Sequence, residues 1–219
     1  MKKIALSVII LLLCAYSGFS QSLKSFGIKG GLSISTQSYH YKQADLPGPE
    51  NALRDLCIGG FAQWNGTGKL SWMLEMYYIC KGASDKVTIT MEDSPQPRGT
   101  TYWDYEIYYL SIPLLARLNM EKGPSRFYGL LGPRMDIRLG QNDLLIAYNV
   151  SSEQMQFLYK DYRDLDFGLE FGIGMERPVS SLFDLILEIR YSPSFTHVYQ
   201  SDLLDIRNQS FEFLVGFNL

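Results

Sequence analysis

DLDFGLEFGIGMER, residues 164–177, carries an apolar side chain at every second position. The apolar positions are Leu165, Phe167, Leu169, Phe171, Ile173 and Met175, and the positions on the other face are Asp164, Asp166, Gly168, Glu170, Gly172, Gly174 and Glu176. Such strict alternation predicts a β-strand. It leaves open which face meets water. A soluble lipocalin-like barrel would turn the carboxylates to solvent, whereas an outer-membrane barrel would turn them into its lumen and the apolar side chains into lipid.

The composition limits the protein class without deciding this question. The chain has 219 residues, which fits one domain of moderate size. Its net charge of -3 and its pI near 5.4 provide no basic footprint, so nucleic acid is not expected as a partner. A mean hydropathy of -0.07 suits a soluble protein and a transmembrane β-barrel equally, because only alternate residues of a barrel face lipid.

The N-terminus has the pattern of a secretory signal peptide. Two lysines precede an apolar run, and the small residues of GFSQ follow it, so we predict cleavage after about Ser20. The run is shorter than the roughly 20 apolar residues that a spanning helix needs. We therefore predict a signal peptide over residues 1–20 and an exported barrel domain over residues 21–219, whose membrane spans are strands.

The alternating segments and their connections predict the topology. The eight candidate strands are residues 26–36, 53–64, 69–81, 105–118, 126–139, 164–177, 182–191 and 210–219. The connections NGTGK, EKGPS and RPVSS are short, while the polar stretches 37–52, 82–104, 140–161 and 192–207 are long. Short turns at one end and long loops at the other are typical of outer-membrane barrels. We predict an all-β, eight-stranded antiparallel up-and-down transmembrane barrel, with both chain ends in the periplasm and outer-membrane lipid around it.

The polar faces of the candidate strands carry charges of both signs. These residues are Lys29, Glu75, Arg117, Arg134, Asp136, Arg138, Asp166, Glu170, Glu188, Arg190 and Glu212. A basic residue at the lipid-facing midplane costs about 2–4 kcal/mol, so these positions are expected in the lumen. Buried charges need partners, and an eight-stranded barrel is just wide enough for side chains to fill it. We therefore predict a charge network that plugs the lumen.

Aromatic residues gather near both ends of the apolar faces. Phe26, Trp64, Trp72, Phe127, Phe183 and Phe217 lie toward the short turns, and Tyr78, Tyr108 and Tyr191 lie toward the long loops. Two such belts are typical of the two membrane interfaces. The last segment ends in alternating apolar residues at 211, 213, 215, 217 and 219, which resembles the signal read by the barrel-insertion machinery.

Four motifs resemble one known family. FGIKGGLSIST, YLSIPLLARL, YGLLGPRM and LEIRYSPSF are similar to strands of the outer-membrane β-barrel domain family common in Bacteroidota, called porin-family or PorT-like. The resemblance spans about residues 23–219 and implies outer-membrane location and barrel architecture, but little chemistry. Pro113 and Pro133 fall within these motifs, and each removes a ladder hydrogen bond, so we expect a local bulge or kink at both.

The residues offer little for catalysis. His40 and His197 both fall in predicted long loops, and no Cys/His spacing indicates zinc, so no metal and no cofactor are expected. Ser194 and His197 beside Glu188 form the only candidate set for a lipid-modifying barrel enzyme. Register at the NGTGK turn places Cys57 inward and Cys80 outward, which disfavours a disulfide.

Several functions remain open at this stage. The favoured hypothesis is a non-enzymatic structural or interaction protein that binds a partner through four long extracellular loops, a class that includes a PorT-like secretion accessory. Its candidate contact residues are Tyr39, Tyr41, Tyr102, Trp103 and Tyr105, since exposed aromatics suit recognition. The second hypothesis is a narrow porin-like channel for small solutes or ions. The lipid-modifying enzyme and the soluble lipocalin-like binder are the further alternatives.

Overall fold

A computed structural model describes residues 23–43, 48–49, 51–91, 94–122, 125–142 and 162–219. The predicted signal peptide lies outside these residues, as does most of the predicted loop 140–161. In the part of the chain that the structure describes, no helix is long and apolar enough to cross a membrane.

The described residues form nine antiparallel strands, eight of which close into a ring. The strands are β1 (Leu23–Tyr41), β2 (Leu53–Asn65), β3 (Leu70–Met91), β4 (Ser94–Lys122), β5 (Ser125–Asn142), β6 (Leu165–Pro178), β7 (Asp184–Pro193), β8 (Tyr199–Gln200) and β9 (Leu204–Asn218). Neighbours in sequence pair with each other, except that β7 pairs with β9, and β1 also pairs with β9 to close the ring. The two-residue β8 pairs only with β9. The predicted eight-stranded antiparallel barrel is therefore confirmed, with β8 as an addition at its edge.

Strand β6 shows which face of the opening stretch points outward. Phe167 and Phe171 are 46% and 42% exposed, whereas Asp166 and Glu170 are 0% and 4% exposed. The same alternation of exposed apolar and buried polar residues runs through β7 and β9. The ring thus has an apolar exterior and a polar interior, the reverse of a soluble lipocalin-like barrel.

The two ends of the barrel differ in their connections. The β2–β3, β4–β5 and β6–β7 connections are short and lie at the same end as Leu23 and Asn218; we call this the short-turn end, and the opposite one the far end. In the β2–β3 turn, Gly66 N donates to Leu70 O at 3.1 Å, and Gly68 has a φ of 64°. Glycine adopts this left-handed conformation without steric cost, which explains the NGTGK sequence there.

The predicted long loop over residues 82–104 is wrong. Strand β3 continues to Met91 and β4 begins at Ser94, and the two pair from Gly82↔Glu106 to Met91↔Ser94. The segment is polar, which suggested a loop, but Val, Ile and Thr dominate residues 87–90, and these side chains favour strands. Among the described residues, β4 pairs with β5 from Glu106 to Lys122. The β3–β4 hairpin therefore continues past the last described pair of the β4–β5 ladder.

A bulge or kink was expected at the two prolines, and the β4–β5 ladder of the described residues shows an interruption beside them but no bulge. Pro113 pairs with Arg134, and the β4–β5 ladder resumes at Ala116↔Leu131 in the same register, so the ladder loses pairings without gaining a residue. A Cβ on Gly132 would lie 1.9 Å from the carbonyl oxygen of Leu114, so glycine permits the close approach of the two strands there. The register of this pair shifts instead between Tyr108 and Tyr109.

The apolar exterior predicts a position-dependent cost for a charge. Ile173 in β6 is 66% exposed, and we expect Ile173→Arg to lower the free energy of unfolding by about 2–4 kcal/mol in lipid vesicles. Leu182→Arg is the matched control, since Leu182 is 79% exposed in the connection before β7, where we expect a loss below about 1 kcal/mol. Urea titrations followed by tryptophan fluorescence measure both, and equal losses would contradict the assigned exterior.

Candidate functional site: a charged core along the barrel axis

The charged residues of the inner face meet inside the barrel. Ten of the eleven predicted lumen charges are at most 5% exposed: Lys29, Glu75, Arg117, Arg134, Asp136, Asp166, Glu170, Glu188, Arg190 and Glu212. The eleventh, Arg138, lies at the far end of β5, where its Nη2 is 2.7 Å from the exposed carboxylate of Asp164. The ten buried residues come from seven different strands, so they pair across the lumen as well as along the wall.

The middle of the lumen holds five charges, Lys29, Glu75, Glu170, Glu188 and Arg190, which we call the central layer. Lys29 Nζ lies 2.7 Å from Glu75 Oε1 and 2.7 Å from Glu188 Oε1. The Arg190 guanidinium pairs with all three carboxylates and donates to Glu75 Oε2 at 2.5 Å. Each cation therefore bridges carboxylates from different strands, which ties opposite parts of the wall together.

Aromatic side chains fill the space around these charges. The Tyr128 hydroxyl donates to Glu188 Oε1 at 2.6 Å, and the Arg117 guanidinium lies 3.7 Å from the centre of the Tyr128 ring. Lys29 Nζ lies 4.5 Å from the centre of the Phe61 ring. Such contacts between a cation and an aromatic face gain strength when they are desolvated, so the rings stabilise the charges as well as occupying volume.

A second set of charges, the short-turn layer, closes the lumen toward the chain ends. Arg117 pairs with Glu176, and Arg126 Nη2 lies 3.2 Å from the other oxygen of the same carboxylate. Arg126 also pairs with Asp184, and Asn218 Nδ2 donates to Glu176 Oε1 at 2.5 Å. Glu176 thus accepts from three side chains, which leaves its carboxylate well satisfied despite its burial.

A third set, the far layer, consists of Lys81, Arg134, Asp136, Asp166 and Ser194. Asp136 Oδ2 lies 2.7 Å from Lys81 Nζ and 3.1 Å from Arg134 Nε. Arg134 Nη2 donates to the Ser194 hydroxyl at 2.9 Å, and that hydroxyl donates to Asp166 Oδ2 at 2.5 Å. The far layer therefore forms one connected chain of contacts from β3 to the segment after β7.

Little free space remains between these layers. A cavity between the central and far layers has a free volume of about 10 Å³, on the order of the space one water molecule needs. Toward the far end, further buried side chains are apolar, namely Leu53, Ala83, Val198 and Ile206. In the part of the chain that the structure describes, paired charges and buried side chains thus occupy successive levels of the lumen.

Sequence reasoning left four charged residues out of the network. Alternation already puts Glu176 on the polar face with Glu170, and it puts Lys81, six residues after Glu75, on the same face as Glu75, yet neither residue was included in the predicted network. Arg126 and Asp184 lie at strand ends, where alternation gives no reliable direction.

The candidate enzyme set does not come together. Ser194 bonds to Arg134 and Asp166, whereas His197 Nε2 lies 4.0 Å from Asp205. Glu188 belongs to the central layer, six residues before Ser194 along the chain. His40 is exposed in β1 opposite Asp205 rather than in a loop. Among the described side chains, no group of three or more His, Cys, Asp or Glu residues is arranged to hold a metal ion.

Both cysteines of the described chain are free and buried. Cys57 points inward and lines the cavity. Cys80 is on the outward face, yet it is only 1% exposed.

The aromatic residues at the two ends lie on the apolar exterior. Phe26, Trp72, Phe127, Phe217 and Tyr78 are exposed, and Trp64, Phe183, Tyr108 and Tyr191 are half-buried against neighbours. The rings of Phe183 and Phe217 meet edge to face at 5.5 Å near the short turns, and those of Tyr78 and Tyr108 stack at 5.7 Å nearer the far end. Two tiers of outward aromatic rings therefore flank the apolar band.

The five predicted contact residues lie in strands rather than loops. Tyr39 and Tyr41 pair with Ile206 and Leu204 on β9, and the rings of the two tyrosines are 6.3 Å apart. Tyr105 pairs with Ala83 in the β3–β4 hairpin. Tyr102 and Trp103 belong to the same hairpin, but their side chains lie outside those that the structure describes.

The central layer predicts unequal effects for two similar substitutions. Glu188→Gln weakens contacts to Lys29, Arg190 and Tyr128 at once, so we expect a loss of about 3–5 kcal/mol in the free energy of unfolding. Glu170→Gln removes only one of three carboxylates from Arg190, so we expect less than half that loss. Urea unfolding at neutral pH compares them, and a larger loss for Glu170→Gln would refute the layer as described.

Solved structures of small outer-membrane barrels are similar to this chain over most of its length. Neisserial surface protein A is 13% identical, with 89% of this chain and 96% of that chain covered and a TM-score of 0.45. Ail of Yersinia pestis is 12% identical, with 89% and 98% covered and a TM-score of 0.41. The protease OmpT of Escherichia coli is 9% identical, with 89% and 95% covered and a TM-score of 0.45.

No curated protein sequence matches the chain. A family model described as "Outer membrane protein beta-barrel domain" matches residues 19–200, which is most of the sequence. With a closed ring of eight antiparallel strands, an apolar exterior and a charged interior, the chain belongs to this family of outer-membrane β-barrel domains.

Proposed function

We propose that the protein is a non-conducting, non-enzymatic barrel that serves a structural or interaction role at the outer face of the outer membrane. The filled lumen carries this proposal. Three layers of paired charges bridge the lumen of the described residues, and the cavity between two of these layers has a free volume of only about 10 Å³. A barrel without a path must act through its surfaces.

The far end offers the larger surface for a partner. The β3–β4 hairpin continues eight residues past Ala83 on β3, which corresponds to about 26 Å at the usual rise of a strand. The long connections and this hairpin share the far end, while the opposite end carries only short turns. We place the far end outside the cell, with both chain ends and the short turns in the periplasm after removal of residues 1–20.

A more specific form of this proposal is a PorT-like accessory role in secretion. It is supported only by the resemblance of the four strand motifs. These motifs build the barrel wall, so they do not identify the surface that would bind a partner. The candidate partner is a protein that contacts the far end.

The main alternative is a narrow channel for small solutes or ions. It would need the ion pairs of the central layer to open, since Arg190 and Lys29 bridge the lumen there. A lipid-modifying enzyme has less support, because Ser194 and His197 have different partners.

Conductance separates the proposal from the channel alternative. We expect purified protein in planar lipid bilayers at neutral pH to give no conductance above the baseline, because paired side chains fill the lumen. A general porin reconstituted in the same lipid is the positive control. Steady single-channel openings would overturn the proposal in favour of the channel.

The assigned orientation predicts which cysteine substitutions react on intact cells. Asp202→Cys, at the exposed turn between β8 and β9, should react with a membrane-impermeant maleimide from outside. Thr67→Cys, at the exposed β2–β3 turn, should react only after the outer membrane is permeabilised. The unmodified protein is the background control, since Cys57 and Cys80 are both buried. The opposite labelling pattern would show that the barrel has the reverse orientation in the membrane.

A further inference from the structure

The cavity between the central and far layers is lined by polar groups whose partners are incomplete. Tyr77, Glu170 and Arg190 line it from the central side, and Lys81 and Arg134 line it from the far side. The Tyr77 hydroxyl and Arg134 Nη1 are buried and have no hydrogen-bond partner among the described residues. Tyr77 is 5% and Arg134 is 2% exposed, so bulk water does not satisfy either group.

An unsatisfied donor of this kind costs about 1–3 kcal/mol when it is buried, and more when it is charged. Glu170 accepts from Arg190 through Oε1, which leaves its second oxygen available as an acceptor at the same cavity. Tyr77 and Arg134, which carry the two unpartnered donors, and Glu170, which carries the acceptor, therefore line the same cavity of about 10 Å³. Buried waters typically make about three hydrogen bonds to groups of this kind.

We propose that this cavity is a binding site for a single ordered water molecule, which accepts from Tyr77 and Arg134 and donates to Glu170. The water joins the central and far layers into one hydrogen-bonded network, because Arg134 belongs to one layer and Glu170 to the other. Among the described residues, no hydrogen bond or ion pair joins the five residues of the central layer directly to those of the far layer.

The lining favours water over an ion of either sign. Lys81, Arg134 and Arg190 repel a metal cation, while Glu170 and Glu212 repel an anion. A chloride ion is also larger than a water molecule, whereas the free volume is only about 10 Å³. A neutral molecule that both donates and accepts matches the mixed lining.

Filling the cavity distinguishes a bound water from an unoccupied void. Cys57→Val adds bulk to the lining, and Cys80→Val makes the same change at a buried cysteine that does not line the cavity. If water is bound, Cys57→Val displaces it and leaves Tyr77 and Arg134 unpaired, so the folding equilibrium constant falls about tenfold relative to Cys80→Val. If Cys57→Val is instead as stable as the control or more stable, the proposal is overturned.

A double-mutant cycle with Tyr77→Phe tests the assigned contact. In the parent barrel, Tyr77→Phe removes one partner of the water and should lower the folding equilibrium constant a few-fold. In the Cys57→Val background, Tyr77→Phe removes a hydroxyl that is already unpaired, so it should raise the folding equilibrium constant. Additive effects of the two substitutions would contradict the contact.

The bound water can also be detected directly in the unsubstituted protein. In methyl-labelled protein in detergent micelles, we expect water-selective nuclear Overhauser effects at the methyl groups of Ile79 and Leu214, which line the cavity. Ile186 is buried in the lumen away from the cavity and is the negative control. No signal at Ile79 and Leu214 would overturn the proposal. The water proposal would also fail if the occupant were an ion. In that case, replacing sodium by choline, or chloride by sulfate, would destabilise the unsubstituted protein but not Cys57→Val.

Discussion

The small cross-section of an eight-stranded ring forces every inward side chain into contact with others, and the charge of Arg190 has to be neutralised in that space. Glu75, Glu170 and Glu188 supply three carboxylates from three strands, and Lys29 links two of them again from β1. Removing charges from water costs several kcal/mol for each ion, so this arrangement is stable only while the pairs are complete. The strands that hold these side chains in place and the ion pairs between the side chains therefore stabilise each other.

The alternation of residues 164–177 was sufficient to predict the strand, whereas its inward carboxylates and the antiparallel ring were predicted only together with the charges of the other strands and the two classes of connection. It was sufficient because one slip in register would expose Asp166 and Glu170 to lipid, so the pattern must be strictly maintained. The partners of each charge could not be predicted in the same way. Lys29 meets Glu188 across β9, and this contact depends on the stagger of strands around the barrel, which a single sequence does not encode locally.

The errors share a physical origin. Polarity suggested a loop over residues 82–104, but a hairpin satisfies its own backbone between two strands and can stay polar on both faces outside the membrane. Prolines suggested a bulge or kink, and of these the bulge is absent beside Pro113, because Gly132 lets β4 and β5 approach closely enough to keep their register. In both cases the pairing of neighbouring strands overrode the local preference of the residues.

The layered core also bears on how such a barrel can be used. A solute would have to displace Arg190 and Lys29 from carboxylates that are buried with them, and each broken pair would leave an uncompensated charge. A partner at the far end meets no such barrier, because Arg138, Asp164 and the β3–β4 hairpin lie beyond the buried layers. The same pairing that makes the lumen rigid thus leaves the far surface able to vary in sequence without loss of the fold.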